Sequence, residues 1–362
     1  MYWTMVVNGN CVHRLRFMSC HAIRSCKSIR VFTQSVPVSG PIRISISTSG
    51  MAEGHSQQSM ASEVHPLAAS GFNADQRIYE SARPSYPAAV LKMVKEEIVV
   101  PLGNPTTASS LSVLDLAAGT GKWTRLILPL GIGQIVAVEP SPGMRREFQL
   151  VCPNVTILDG SGTAIPLPDA SVDVIFIAQA FHWFANVDAL TEMHRVLKPE
   201  GTVVMIWNLE DMRTSWVARL RGAYEKHEAG SPQYRLGLWR RPFVEPDMAK
   251  VVSKMFHLPF HERQVSHSVS NTKDDVWQRV LSKSYVAVLS AEQKEELKKE
   301  VDHILSAEDV HWDNGEGTEK VVQYPYTTDV VWFKKLSSDV LPQNASAFTP
   351  FFYEKGFEPY VT

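Results

Sequence analysis

The chain of 362 residues predicts an α/β fold built on a largely parallel sheet, and three observations carry that expectation. Short apolar runs alternate with stretches of helical periodicity between residues 113 and 208. The runs are continuous and rich in Val and Ile, as strands buried on both faces should be. A turn of small residues, Ala117-Ala-Gly-Thr-Gly121, follows the first run, where α/β sheets place their ligands.

The elements follow in order. Val113, Leu114 and Leu116 make the first strand, and Ala117, Gly119 and Gly121 keep the next turn free of bulk, so a ligand can lie against backbone amides. Asp115 is placed to brace that loop or to meet a ligand amine. Gln134-Ile-Val-Ala-Val-Glu139 is a second strand ending in an acid about 20 residues past the loop, the spacing of a ribose-binding carboxylate. Ser141 caps a helix. Val155–Leu158 is a third strand, and Ser161, Gly162 and Thr163 after it can face an adenine edge. Ser171–Ala178 is a fourth, running into Gln179-Ala-Phe-His-Trp-Phe184. A helix with Leu190, Met193 and Leu197 on one face is closed by Lys198-Pro-Glu-Gly201 before a fifth strand, Thr202–Trp207. Such alternation implies right-handed crossovers. Further on, Met255–Phe260 is expected as strand six, Ala291–Leu305 as a charged helix and Tyr326–Phe333 as strand seven.

Three readings of the loop compete. A Walker phosphate loop fails twice, with Leu116 at the first glycine and Trp123 at the hydroxyl position. A dinucleotide fingerprint keeps Gly119 and Gly121 but meets Thr124 at its third glycine. The third is the Asp-x-Gly-x-Gly-x-Gly loop for S-adenosylmethionine, with Ala117 in place of one glycine. The acid at Glu139 and the elements after it favour this last reading.

Four ordered motifs carry a resemblance: the Asp115–Gly121 loop, Glu139, the Ile165-Pro-Leu-Pro-Asp-Ala-Ser-Val-Asp173 box and Glu192-x-x-Arg195-Val-Leu-Lys-Pro-x-Gly201. On them, Val113 to Asn208 resembles the class I S-adenosylmethionine-dependent methyltransferases, specifically the type 11 methyltransferase domain. Tyr79-x-x-x-Arg83-Pro-Ser-Tyr-Pro87, Gln179-Ala-Phe-His-Trp183, Ser282-Lys-Ser-Tyr285 and Tyr324-Pro-Tyr-Thr327 resemble a fungal-type subgroup of trans-aconitate methyltransferase-like proteins. Similarity thus spans roughly residues 70–336. It departs after Gly160, where Ser-Gly-Thr stands in place of a run toward an acid.

The resemblance implies a Rossmann-like seven-stranded mostly parallel sheet of order 3-2-1-4-5-7-6, with helices on both faces and a helical cap insertion. It also implies S-adenosylmethionine as cofactor and a small-molecule acceptor. Cofactor contacts are expected from Tyr79, Arg83, Asp115, Ala117, Gly119, Gly121, Glu139, Gly162, Thr163, Ala178 and Gln179. Arg83 can alternatively face an acidic substrate. His182, after strand four, is the candidate general base, its alternative being a wall of the pocket. A carboxylate acceptor needs no base, whereas a phenol, alcohol or amine does. An NAD-dependent oxidoreductase and a non-catalytic cofactor-binding protein stay open as alternatives.

The expected division is an N-terminal extension 1–65, a cofactor-binding core 66–208, a substrate cap 209–254, the rest of the sheet 255–336 and an irregular tail 337–362. The cap carries Arg213, Arg219, Arg221, Arg235, Arg240 and Arg241, candidates for holding a substrate carboxylate. Residues 1–50 lack Asp and Glu and carry three of the four cysteines, a pattern of transit peptides or of an extension upstream of Met51. The expected location is cytoplasmic, or mitochondrial if that segment is a presequence. A formal net charge of -2 argues against a nucleic-acid partner. No apolar stretch reaches the roughly 20 residues of a membrane span. With only Cys152 beyond the extension, no metal site is expected, and the sequence does not set the oligomeric state.

Overall fold

The computed structural model describes residues 82–337 except 103–107, 229 and 316–318, together with two strands near the start of the chain. Those two, Trp3–Val7 and Asn10–Leu15, pair antiparallel with each other. The expectations for the rest of residues 1–65, for Tyr79 and for the tail beyond Ser337 lie outside the described residues.

The sheet begins with four parallel strands, β1 (Ser112–Leu116), β2 (Gln134–Val138), β3 (Thr156–Leu158) and β4 (Val172–Ala178). Next to β4 and parallel to it runs β5 (Leu197–Glu210). Beyond it lie β6 (His261–Asn271) and β7 (Lys320–Lys334), with β7 antiparallel to both β5 and β6. The order β3-β2-β1-β4-β5-β7-β6 is the expected one, and a short strand Trp312–Asn314 adds to the start of β7.

Alternate residues of the central strands feed two apolar layers. Val113, Val174 and Phe176 pack with α1 (Ala88–Met93) and α2 (Lys122–Ile127), whereas Leu114, Leu116, Ile175 and Ile177 face α4 (Val187–Val196). Between them in sequence, α3 (Pro142–Val151) packs Phe148 on Ala137 and takes its cap from Ser141, as expected. The ten residues of α4 are too few to persist alone in water. Fully buried Leu190, Met193 and Val196, at about 1.5–3 kcal/mol each, hold it to the sheet.

A second core lies beside the far half of the sheet. There α5 (Ser215–Glu225) shares buried contacts with Val322, Tyr324 and Tyr326 of β7. After α6 (Arg241–Val244) and α7 (Pro246–Val252), the chain between β6 and β7 adds α8 (Lys273–Leu281), α9 (Ser284–Ala287) and α10 (Ala291–Leu305) to that core. The helical layer is therefore drawn from both sides of β6, and not from residues 209–254 alone.

Several boundaries differ from the sequence expectation, including that of β7, which begins at Lys320 and not at Tyr326. Met255–Phe260 is not strand six. Met255, Phe256, Leu258 and Phe260 instead turn a corner against the α4 side of the core, and the strand follows at His261–Asn271. Its pairing is limited to a single antiparallel bridge, Phe256 with Lys335 beyond β7, and the packing of the corner is what makes the hexapeptide apolar. Leu197 leaves the helix with extended backbone and opens β5.

Candidate active site

Asp115 is fully buried in β1. Its Oδ2 accepts the Thr124 hydroxyl, which ties the strand to the first turn of α2, while Oδ1 is buried with no hydrogen-bond partner among the described residues. Burial pushes the carboxyl up to about 7, with the Thr124 bond opposing and Glu139 adding to the rise.

The three small residues of the turn all hold positive φ, at 58° for Ala117, 57° for Gly119 and 82° for Gly121. They do different work. A Cβ on Gly119 would meet nothing within 4 Å among the described residues, which leave that face of the loop open. A Cβ on Gly121 would lie 2.9 Å from the Phe148 ring and 3.0 Å from Cys152 Sγ. The Gly121 amide is also spent on Ala118 O at 2.9 Å. Gly121 was expected to bare its backbone to a ligand; close packing against α3 is what requires it. Ala117 adopts the left-handed backbone that the loop demands and glycine would take more easily.

Glu139 follows β2 and is 7% exposed. Its Oε2 accepts the Gly119 amide at 3.0 Å and its Oε1 the Ser141 amide at 2.8 Å. Burial raises its pKa, and these two bonds with Arg145 oppose the rise. Arg145 donates to the carbonyls of Glu139 and Pro140 and pairs bidentately with Asp159 at 2.8 and 2.9 Å, joining the ends of β2 and β3. In the turn after β3 Gly162 lies flat on Phe184, where a Cβ would come within 2.4 Å of the ring. Thr163 Oγ1 lies 3.4 Å from Ser161 Oγ. Loop, Glu139 and this turn share the carboxyl edge of β1, β2 and β3.

Ala178 ends β4. Gln179 follows with φ of 59°, its amide on Ile206 O at 2.7 Å and its side chain on Asn208 O at 2.9 Å. From here a cavity opens with room for about 60 Å³ of solvent, and five cationic side chains line it against three carboxylates. Glu210, at the end of β5, is the hub. Arg279 and Lys283 reach its Oε1 at 2.7 and 2.6 Å, and Arg221 donates to its backbone oxygen at 2.9 Å. Burial opposes ionisation, but Arg279, Lys283 and Arg221 outweigh it and hold Glu210 well below the usual carboxylate range. Burial and the Arg279 charge bring Lys283 down to about 7, against the pull of Glu210.

Arg83 belongs to this cavity. Its guanidinium donates to Ser282 O at 2.9 Å, while its own carbonyl accepts Lys122 Nζ at 2.8 Å. Asn208 Nδ2 donates to Ser85 O at 3.1 Å, so residues 83–86 form a strap from the glycine loop to the cavity wall. Of the six cap arginines, Arg221 and Arg235 line the cavity. Arg213, Arg219, Arg240 and Arg241 are paired elsewhere, with Asp211, Asp309, Glu262 and Glu245.

His182 is 8% exposed and its Nδ1 accepts the Trp207 indole N–H at 3.2 Å. Burial, then the Arg83 charge, brings it down to about 3. A ring whose Nδ1 lone pair is engaged and whose Nε2 bears the proton has no basic site left. Of the two expectations for His182, a general base or a wall of the pocket, this geometry favours the wall.

A protein-family model described as a methyltransferase domain matches residues 114–205. An uncharacterized methyltransferase-like protein of Schizosaccharomyces pombe is 32% identical over 233 residues, which cover 64% of this chain and 85% of that protein. An uncharacterized methyltransferase of the same organism is 34% identical over 238 residues, or 65% of this chain and 86% of its own length. The chain belongs to this methyltransferase family. An uncharacterized methyltransferase of Mycobacterium tuberculosis is 39% identical over 142 residues, 39% of this chain and 54% of that protein.

The sheet order and loop are those of class I methyltransferases, which use S-adenosylmethionine. The residues of this methyltransferase fit that cofactor. Among the described residues Asp115 Oδ1 is a buried acceptor lacking a donor, the Gly119 face is open, and each Glu139 oxygen keeps a second lone pair for a ribose hydroxyl. Sequence reasoning did not find Trp207, Glu210 or Arg279, and assigned Lys283 no part although its motif stood out. Glu210 carried one signal: like Glu139, it is an acid at the end of an apolar strand.

Proposed function

We propose that this methyltransferase transfers a methyl group from S-adenosylmethionine to a carboxylate of a small organic acid. The observation that carries the reading is the cavity beside Gln179 and His182, where five cationic side chains exceed three carboxylates by two charges when Lys283 is protonated. A surplus of buried positive charge suits an anion, and guanidinium groups hold carboxylates in fixed geometry.

On the cofactor side, Glu139 would hold the ribose hydroxyls, the Ala117–Gly121 loop with Asp115 the methionine end, and the Ser161–Thr163 turn the adenine edge. Bound there, the cofactor supplies an already activated sulfonium methyl group. The chain's own part is then to align an acceptor oxygen and exclude water. A carboxylate has no proton to lose, which agrees with a histidine whose lone pair is engaged.

Methyl-labelled S-adenosylmethionine offered with a panel of mono-, di- and tricarboxylic acids tests this. The expected product is a methyl ester whose label alkali releases as volatile methanol. Glu139→Ala, the control, should weaken cofactor binding about 100-fold through lost charge-assisted hydrogen bonds. Alkali-stable label on an amine or phenol, with none on any acid, would overturn the reading and turn attention to Lys283 as a base.

A further inference from the structure

We propose that His182 is a hydrogen-bond donor to the acceptor's carboxylate, locked in the Nε2-protonated tautomer by Trp207, which acts as a positioning residue. This rests on the proposed acceptor class, but the lock itself is a property of the free protein. An indole N–H can only donate, so the imidazole nitrogen facing it must carry a lone pair. That nitrogen is Nδ1, 3.2 Å from Trp207 Nε1, and the single ring proton falls on Nε2. A second proton on Nδ1 would point at the indole hydrogen.

Trp207 is not free to turn away. It is fully buried in β5, stacked on Tyr234 at 4.3 Å and 17° and tilted against Trp239 at 4.9 Å. Tyr234 is itself pinned, its hydroxyl donating to Asp329 Oδ2 on β7 at 2.6 Å. Two aromatic residues of the cap thus fix an indole of the sheet, and that indole fixes the proton of a histidine in the cavity wall. The charged groups sharing the cavity are chiefly cationic: Arg83 on the strap, Arg221 on α5, Arg235 in the cap, Arg279 on α8 and Lys283 after it, with Glu210 on β5, Glu225 on α5 and Glu228 after it already paired. Among them a neutral donor adds direction without adding charge. It can orient one carboxylate oxygen while leaving the other to attack, and it does not repel a sulfonium as an imidazolium would.

Nitrogen NMR of the ring in the full-length protein tests the lock without any substrate. Expected are shifts of a protonated Nε2 and an unprotonated Nδ1 that stay constant from pH 5 to 8.5. Trp207→Phe keeps a ring in the stack but removes the donor, and should let the Nδ1-protonated tautomer appear in the shifts, while burial and the Arg83 charge keep the ring neutral. For the donor role, His182→Leu should raise KM for the acid about 10- to 100-fold with cofactor Kd unchanged. His182→Gln, which restores an N–H near the Nε2 position, should recover most of that loss. Titration of His182 in the wild-type protein, or a proton on Nδ1, overturns the lock. An unchanged acid KM in His182→Leu overturns the donor role, and does so even where methyl esters form and the acceptor class stands.

Discussion

At the glycine loop, two carboxylates are buried chiefly among hydrogen-bond donors, and burial raises the pKa of both Asp115 and Glu139. Glu210, in the cavity, is buried as deeply, yet Arg279, Lys283 and Arg221 drive it the other way. What differs is the company each acid keeps. The loop acids are incompletely compensated by the chain, so a ligand bearing hydroxyls and a positive charge completes them. Glu210 is compensated in excess, so the charge left over around it is positive and suits an anion. One residue type at one sheet edge thus prepares two sites of opposite preference.

The comparison breaks first at Glu210. Glu210→Gln leaves three buried cations without their shared counter-charge, and unfolding by urea should show a loss of about 3–5 kcal/mol. A loss under about 1 kcal/mol would mean the cluster is wetter than its burial indicates.

Asp115 should show the opposite sign. Its carboxyl rises from 3.8 to about 7 in the folded chain, so the folded protein binds the extra proton between those values. Wild-type stability should therefore fall as pH climbs through that window and level off above it, with a contribution of about 4 kcal/mol. Asp115→Asn should lack this slope. Parallel stability curves for the two proteins from pH 4 to 7.5 would show that Asp115 ionises normally.

Two glycines sharpen the contrast within the loop. Gly121→Ala drives a methyl group into Phe148 and should cost about 2 kcal/mol of stability. Gly119→Ala meets open space, so its stability cost should be about 1 kcal/mol, from positive φ alone. Its main effect should be on cofactor affinity, measured by calorimetry. Equal effects on both quantities would erase the distinction between a packing glycine and a ligand-facing one. The smallest effect is expected of Ala117→Gly, which relieves a left-handed alanine and should gain about 0.5 kcal/mol in thermal unfolding.

How far the sequence could be read follows from how local each feature is. The loop, Glu139 and the five strands from β1 to β5 lie within one stretch, where hydrophobic periodicity and small-residue turns speak directly. β6 was misplaced because its only apolar residues are Val265 and Val269, while the corner before it is richer in them. The cavity was hardest to read. Arg83, Glu210, Arg221 and the Arg279–Lys283 pair come from four separated segments, and a charged residue carries no periodic mark that distinguishes a buried ion cluster from a solvated face. The histidine was ambiguous for a related reason: its residue type suits a base as well as a pocket wall, and only the indole opposite reveals which nitrogen holds the proton.

The strap at residues 83–86 sets a practical boundary for anyone shortening this protein. Lys122 just past the glycine loop, Asn208 on β5 and Ser282 after α8 all grip it. A version trimmed to start at β1 would keep every strand of the large sheet yet leave an ammonium and an amide unfastened and a guanidinium missing from the cavity. The smallest unit worth expressing therefore begins upstream of Arg83, well before the sheet does.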